Sequence, residues 1–257
     1  MEKRVTNELS SVKNALKILR SFTMEQPKKG VLDISRELNI SKSSVHRILQ
    51  TLASEGFVKK SNDCSKYELG ISVIELNSIY LRHLDLYEES YENLMSLSQK
   101  TGETCHLAIL KDYHIVYLNK VELAPSSNVQ SHVGHHNHIH CTGTGKVLLA
   151  FSEPEVIQYV LEKGLEKVTE KTITDPAVLL EELAQIRQQG YGIVQGEYKE
   201  QMTSIAVPIR NYRGQVIAAI NLVGLTSRFT EDRTKYIVQL LREESEAISK
   251  KMGHVKE

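Results

Sequence analysis

The sequence predicts an α+β fold, in which helical segments precede a domain built around an antiparallel sheet. Helical periodicity and a single hairpin pattern occupy residues 9–70, and a stretch without proline or glycine fills residues 71–100. Strand pairs separated by helices follow over residues 101–254. Interspersed strand pairs and helices are typical of an antiparallel sheet covered by helices. We therefore expect three consecutive segments with these bounds.

The clearest helix is predicted over residues 40–52. Ser41 suits its N-cap, and Asn39, which tolerates left-handed backbone, suits the end of a short preceding helix over residues 33–38. The apolar positions follow the i, i+3, i+4, i+7 spacing of a helix with one buried face. They are Val45, Ile48, Leu49 and Leu52.

The opposite face of this helix is expected to meet solvent or a partner. Its side chains can donate hydrogen bonds to phosphates or base edges, and none is acidic. We expect base or adjacent-phosphate contacts from Ser43, Ser44 and Arg47. The full predicted set on this helix is Ser41, Lys42, Ser43, Ser44, His46, Arg47, Gln50 and Thr51.

A hairpin pattern follows Gly56, with arms over residues 57–60 and 66–69 and a polar turn over residues 61–63. Lysines stand on both arms, and we expect Lys59, Lys60 and Lys66 to anchor phosphates. Two helices, a tight turn and a hairpin in this order predict a winged helix-turn-helix. A basic amphipathic helix alone is more often only a solvated surface, but three elements in order favour DNA.

The charge distribution supports that interpretation. Residues 1–70 contain 13 Lys and Arg against 8 Asp and Glu, whereas the remaining residues contain 19 against 24. The net charge of zero for the whole chain therefore conceals a basic N-terminal part and an acidic remainder. A basic surplus at this place is expected for DNA phosphates and predicts binding that weakens with salt.

Residues 71–100 are predicted to form a linker helix with a possible break near residues 83–85. Many apolar residues recur along it, so it needs a partner surface. A second subunit would supply that surface, and a two-fold dimer would match a palindromic operator. The alternative is a helix packed on its own C-terminal domain.

The third segment contains two predicted strand pairs. One pair spans residues 105–110 and 115–118, and the other spans residues 204–209 and 216–223. Helices are predicted over residues 145–151, 153–163, 176–189 and 231–252. Strand pairs interspersed with helices again indicate an α+β domain.

Residues 134–141 pack four histidines and Cys141 into a short run. Imidazole and thiolate are zinc ligands, and Cys105 and His106 could contribute from a neighbouring strand. A metal-responsive site is therefore one interpretation, and a histidine-rich surface loop is the other. The Gly143–Lys146 stretch is not a phosphate-binding loop, because His140 and Val147 replace the required glycine and hydroxyl residue.

Other function classes find little support. The catalytic patterns Gly-x-Ser-x-Gly and His-Glu-x-x-His are missing, and Cys105 and His106 should point to opposite faces of a strand. We expect no catalysis and no cofactor. Three widely spaced cysteines suit neither a disulfide framework nor a zinc module, and no apolar run approaches membrane-spanning length. Without a signal-peptide core, the cytoplasm is the expected location.

With these residues in view, the chain resembles the IclR family of bacterial transcriptional regulators over nearly its full length. The resemblance lies in residues 40–52, 56–58 and 67–70, and in residues 141–150, 190–192, 204–209 and 218–224. It implies a GAF-like effector-binding domain, joined by a helix to a winged helix-turn-helix. It also implies dimers that often pair into tetramers, and a DNA-binding repressor as the more frequent role.

The resemblance further implies a pocket for a small organic or aromatic acid near the helix that starts at residue 143. Free backbone N–H groups at a helix N-terminus suit a carboxylate, which makes this location physically reasonable. Carried over residue by residue, the effector-binding set is Gly143, Thr144, Glu197, Ser204, Asn221 and Val223.

Overall fold

The computed structural model describes residues 9–61, 65–82, 85–123, 131, 133–134 and 136–255, without the side chains of 80–82 and 136. The chain divides into two compact units, Met1–His83 and Leu84–Glu257. The boundary falls within the predicted linker, between two helices. Each unit is described by itself below.

The N-terminal unit contains four helices and a three-stranded sheet in its described part. In chain order these are α1 (Ser10–Ser21), β1 (Lys29–Gly30), α2 (Val31–Leu38), α3 (Lys42–Ser54), β2 (Val58–Lys60), β3 (Lys66–Leu69) and α4 (Ser72–Arg82). The sheet has the order β1-β3-β2, and both pairings are antiparallel. The wing is thus confirmed, although residues 62 and 63 of its predicted turn lie outside the described residues.

Local sequence determines the joint between α2 and α3. Asn39 ends α2 with a left-handed φ of 52°, and Ser41 caps α3 by accepting a hydrogen bond from the N–H of Ser44 at 3.2 Å. Behind α3, buried apolar side chains from every helix of the motif and from the wing form one core. They are Ile18, Ile34, Val45, Leu49, Val58 and Tyr67.

The C-terminal unit surrounds a six-stranded sheet of order β6-β5-β4-β9-β8-β7. Its helices are α5 (Asp85–Thr101), α6 (Gly143–Ala150), α7 (Pro154–Lys163), α8 (Pro176–Gln189) and α9 (Glu231–Lys251), with a 3-10 turn at Thr226–Arg228. Its strands are β4 (Thr104–Lys111), β5 (His114–Val121), β6 (His136–Asn137), β7 (Gly192–Gln195), β8 (Met202–Arg210) and β9 (Val216–Leu225). All described pairings are antiparallel, which confirms the predicted α+β class.

Each face of this sheet carries its own hydrophobic core. Residues such as Leu107 and Leu222 pack with α5 and α9, whereas Ala108, Ala206 and Ala219 pack with α6 and α8. The alternation of strand side chains therefore places Cys105 in the first core and turns His106 to the side of α6. On the α6 side, polar residues stand close to the start of that helix.

The stretch predicted as one linker helix forms α4 and α5, which end and begin at Arg82 and Asp85. Helix α5 buries Leu94 and Leu97 against its own unit, as the alternative interpretation held. Helix α4 instead leaves Ile74 and Ile79 about three-fifths exposed. Of the two helices in this stretch, only α4 therefore keeps an apolar surface that no described residue of its unit covers.

Candidate DNA interface and effector site

Helix α3 exposes every residue predicted on its DNA-facing side, while Val45 and Leu49 are completely buried. The three predicted wing lysines are exposed as well. Arg47, Lys42 and Lys60 form no ion pair with any carboxylate in the described chain, so their charges are available to phosphates or base edges. Lys59 differs, because its Nζ lies 3.2 Å from the carboxylate of Glu68 on the neighbouring strand.

The hydroxyl groups at the start of α3 are partly engaged. Ser41 Oγ donates to Ser44 Oγ at 2.8 Å and lies 3.2 Å from Ser43 Oγ. Thr51 Oγ1 donates to the carbonyl of Arg47 at 3.1 Å. Ser41 therefore serves first as a helix cap, whereas Arg47 and Lys42 are long donors on this face that form no ion pair in the described chain.

Helix α6 begins against the polar face of the large sheet. Thr142 Oγ1 caps it by accepting from the N–H of Gly145 at 3.2 Å, which leaves the N–H groups of Gly143 and Thr144 as donors of the first turn. A Cβ at Gly143 would lie 2.5 Å from Ser204 Oγ, so only glycine allows the helix to approach the strand this closely.

Ser204, Asn221 and Val223 meet on neighbouring strands beside that helix start. Asn221 Nδ2 donates to Ser204 Oγ at 2.8 Å, and Val223 stands directly opposite Ser204 in the register of β8 and β9. The structure thus brings these three residues together with Gly143, as the resemblance implies. Their role in ligand binding stays a prediction.

Glu197 also approaches α6, but its carboxylate is already paired. Lys146, whose side chain is completely buried, donates to Glu182 Oε2 at 2.7 Å and to Glu197 Oε1. The N–H of Ile173 donates to the second oxygen of Glu197 at 3.3 Å. Burial raises the pKa of Glu182, against the lowering influence of Lys146. Glu197 is therefore placed near the site with its negative charge offset by a buried ammonium.

His106 was not assigned to the predicted effector set, yet it is buried in the same place. Its ring bonds to Asn221 Oδ1 at 3.0 Å and to Ser131 Oγ. Burial lowers the pKa of His106 to about 4, so the ring is neutral near pH 7. The sequence signal was a polar residue within the apolar strand pattern of β4, and Lys146 gave the same signal within the apolar helix α6.

The histidine-rich run gains no support as a metal centre. In the part of the chain with described side chains, no three His, Cys, Asp or Glu residues are grouped to hold an ion. His140 bonds instead to the carbonyl of Glu166 at 2.9 Å. Burial raises the pKa of the Cys141 thiol to about 12, which disfavours the thiolate that metals require. His135 and the side chain of His136 lie outside the described residues.

None of the described helices is both long and apolar enough to cross a membrane.

Two family models match the chain. The IclR helix-turn-helix domain matches residues 11–61, and the bacterial transcriptional regulator IclR C-terminal model matches residues 78–250. The second match alone covers more than half of the chain.

Related regulators match nearly the whole length of this chain. The regulator KdgR of Escherichia coli (strain K12) is 35% identical over 250 residues, which cover 96% of this chain and 94% of KdgR. The transcriptional repressor AllR of the same strain is 28% identical over 244 residues, which cover 95% and 90% of the two chains.

Among solved structures, an IclR homologue from Microbacterium hydrocarbonoxydans, complexed with 4-hydroxybenzoate, superposes with a TM-score of 0.85 at 28% identity. The match covers 95% of this chain and 99% of that one. The helix-turn-helix, the C-terminal sheet and the matches over both units agree. This chain belongs to the IclR family of bacterial transcriptional regulators.

Proposed function

We propose that this regulator is a repressor whose affinity for a palindromic operator changes when a small carboxylic acid binds at the start of α6. The exposed, acid-free face of α3, which lies opposite the buried Val45 and Leu49, carries the DNA-binding part of this proposal. Helix α3 would enter the major groove, and Lys60 and Lys66 of the wing would hold phosphates. The name of the relative AllR supports repression.

The donor-rich start of α6 supports the acid. Two backbone N–H groups and the positive end of the helix dipole favour a carboxylate. The 4-hydroxybenzoate bound by the Microbacterium homologue is itself a carboxylic acid. Effector binding changes operator affinity only if the acid binds two arrangements of the protein with different affinity.

A gel-shift experiment tests this function directly. Operator sequences are first selected from a random DNA library by the purified full-length protein. The selected duplex is then titrated with protein at fixed salt, with and without each of a panel of small carboxylic acids. We expect a palindromic consensus and at least one acid that changes the apparent Kd. No preference over random DNA would refute the regulator, and no effect of any acid would refute the coupling.

Arg47→Ala should weaken operator binding by about 1–3 kcal/mol, or roughly 5- to 150-fold in Kd, if the guanidinium reads a base. Binding to random DNA should change much less. Lys60→Ala should instead weaken both duplexes together and reduce the salt slope by about 1, as a phosphate contact does. The control is Arg213→Ala, which removes an exposed arginine from the C-terminal unit. An equal loss of affinity for operator and random DNA would instead show that Arg47 contacts a phosphate.

We further expect a homodimer, alone or paired into a tetramer, that uses the exposed apolar side of α4. Ile74, Leu76 and Ile79 of α4 are 60%, 55% and 59% exposed, and large apolar side chains exposed together on one helix favour burial by a partner. Ile74→Glu should reduce the mass measured by sedimentation and weaken operator binding. Val178→Glu is the control, because it places the same charge at an exposed apolar position, 46% exposed, on α8 of the C-terminal unit. An unchanged mass for Ile74→Glu would place the interface elsewhere.

A further inference from the structure

Four polar side chains form a continuous hydrogen-bonded chain on the α6 side of the sheet. Ser131 Oγ contacts His106 Nε2, His106 Nδ1 lies 3.0 Å from Asn221 Oδ1, and Asn221 Nδ2 lies 2.8 Å from Ser204 Oγ. His106 and Asn221 are 1% and 3% exposed. Because both side chains are buried, each donor in this hydrogen-bond network must face an acceptor, so the direction of each hydrogen bond determines the next.

One backbone group fixes that direction. The N–H of His106 lies 3.2 Å from the side chain of Asn221, and an N–H can only donate, so the facing amide atom is the oxygen. The same oxygen must then accept from the ring, which places the proton of His106 on Nδ1. Since burial holds the pKa of His106 far below 7, the ring is neutral and Nε2 accepts from Ser131.

The fixed amide makes Ser204 a donor. Asn221 Nδ2 can only donate, so Ser204 Oγ is the acceptor of that bond. The hydroxyl proton of Ser204 meets no acceptor among the residues that the structure describes. Ser204 is partly accessible and lies against Gly143, so this proton is available at the start of α6.

A second, independent group stands at the same place. Thr144 is completely buried, and the phenol of Tyr117 approaches its Oγ1 as a hydrogen-bonding neighbour, although no described residue reaches this oxygen with full hydrogen-bond geometry. A buried hydroxyl without a well-formed hydrogen bond is costly, so a polar ligand that bonds to it would be stabilised here. Donors therefore converge from the helix and from the strand.

We propose that His106 and Asn221 are positioning residues that fix Ser204 as a hydrogen-bond donor, so that this site selects effectors presenting acceptor oxygens, as a carboxylate does. The inference rests on the proposed effector site and adds how that site discriminates. A carboxylate offers acceptors on both oxygens. A primary amide of the same shape keeps one acceptor oxygen but replaces the other with an NH₂ group, so one of the two donors, Ser204 or Gly143, would lose its hydrogen bond.

Calorimetric titration of the full-length protein tests the preference. The probes are acetate, pyruvate, benzoate and 4-hydroxybenzoate, each compared with its primary amide at matched ionic strength. We expect at least one acid to bind at least tenfold more tightly than its amide. If no acid binds, or if the amides bind as well as the acids, the inference is overturned.

The Asn221→Asp variant tests the direction of the hydrogen bonds between Asn221 and Ser204. The second carboxylate oxygen would replace Nδ2 and accept the proton of Ser204, so the Ser204 oxygen would face the effector as an acceptor. We expect the acid to bind more weakly and its amide to bind more tightly than to the wild type. Added negative charge alone would weaken the acid but leave the amide unchanged, and that result would overturn the proposal.

Two further variants test and control this result. Ser204→Ala should remove at least tenfold of the preference for the acid while retaining amide binding. Thr203→Val is the matched control, because Thr203 is the neighbouring residue on β8 and its hydroxyl donates to Thr226 Oγ1 at 3.0 Å, outside the chain. Its acid preference should equal that of the wild type.

Nitrogen NMR of the histidine rings tests the proposal on the wild-type protein, without a ligand and without any substitution. The His106 signals should show the neutral ring with its proton on Nδ1 at pH 7. A proton on Nε2 would overturn the inference. Gel shifts separate this failure from that of the proposed function, since an acid can bind with the stated preference and still leave operator affinity unchanged.

Discussion

Lys146→Met should lower the free energy of unfolding by about 3–5 kcal/mol, because removing one partner of a buried ion pair leaves the other charges uncompensated. Lys146 is completely buried and is shared by Glu182 and Glu197, whose side chains are 21% and 8% exposed. Methionine fills similar volume without a charge. Chemical denaturation with a fluorescence or circular dichroism readout measures the loss.

The pH dependence identifies the cause of that loss. Without the ammonium, which lowers it in the wild type, the pKa of the partly buried Glu182 should rise further above the ordinary value of about 4.3. The folded variant then binds protons more tightly than the unfolded chain, so its penalty is absent below that ordinary pKa and grows as the pH rises through the raised value. The difference from the wild type should therefore shrink from pH 7 to pH 5.

A combined variant supplies the control. Lys146→Met with Glu182→Gln and Glu197→Gln removes all three charges and should recover much of the lost stability, because neutral groups of the same shape are cheaper to bury than unpaired ions. A loss below about 1 kcal/mol in the single variant, or one independent of pH, would contradict the assigned role of the ion pair.

Local sequence signals predicted the elements around both sites. The spacing of Val45 and Leu49 defines the buried face of α3, and Asn39 and Ser41 mark its turn, because caps and periodicity act within a few residues. The hairpin of β4 and β5 and the pair β8 and β9 were predicted for the same reason.

Contacts between distant residues were beyond such signals. Strand β1 is only two residues long and exists through its pairing with Tyr67 and Lys66 of the wing. His106 and Asn221 are 115 residues apart in sequence, and no local pattern shows that their strands are neighbours. The periodicity of residues 71–100 likewise revealed an apolar face but not its partner, which for α5 is the helix α9.

Leu49→Ala should destabilise the N-terminal unit by about 2–5 kcal/mol, because it leaves a cavity in a core to which Leu49 contributes a completely buried side chain. That unit is small, and domains of its size are stable by only about 0.05–0.15 kcal/mol per residue. The substitution replaces no side chain of the predicted DNA-facing set. Any loss of operator binding should therefore follow from unfolding of this unit. Hydrogen exchange measured peptide by peptide should show lost protection within residues 9–82.

The reciprocal variant decides whether the two units unfold separately. Leu183→Ala removes an equally buried leucine from the core between α8 and the sheet of the C-terminal unit. Since each unit has its own core, Leu49→Ala should spare acid binding and Leu183→Ala should spare protection of α3. If either substitution lowers protection in both units to the same extent, the chain unfolds as one cooperative body, and effector binding would then stabilise the DNA-binding unit directly.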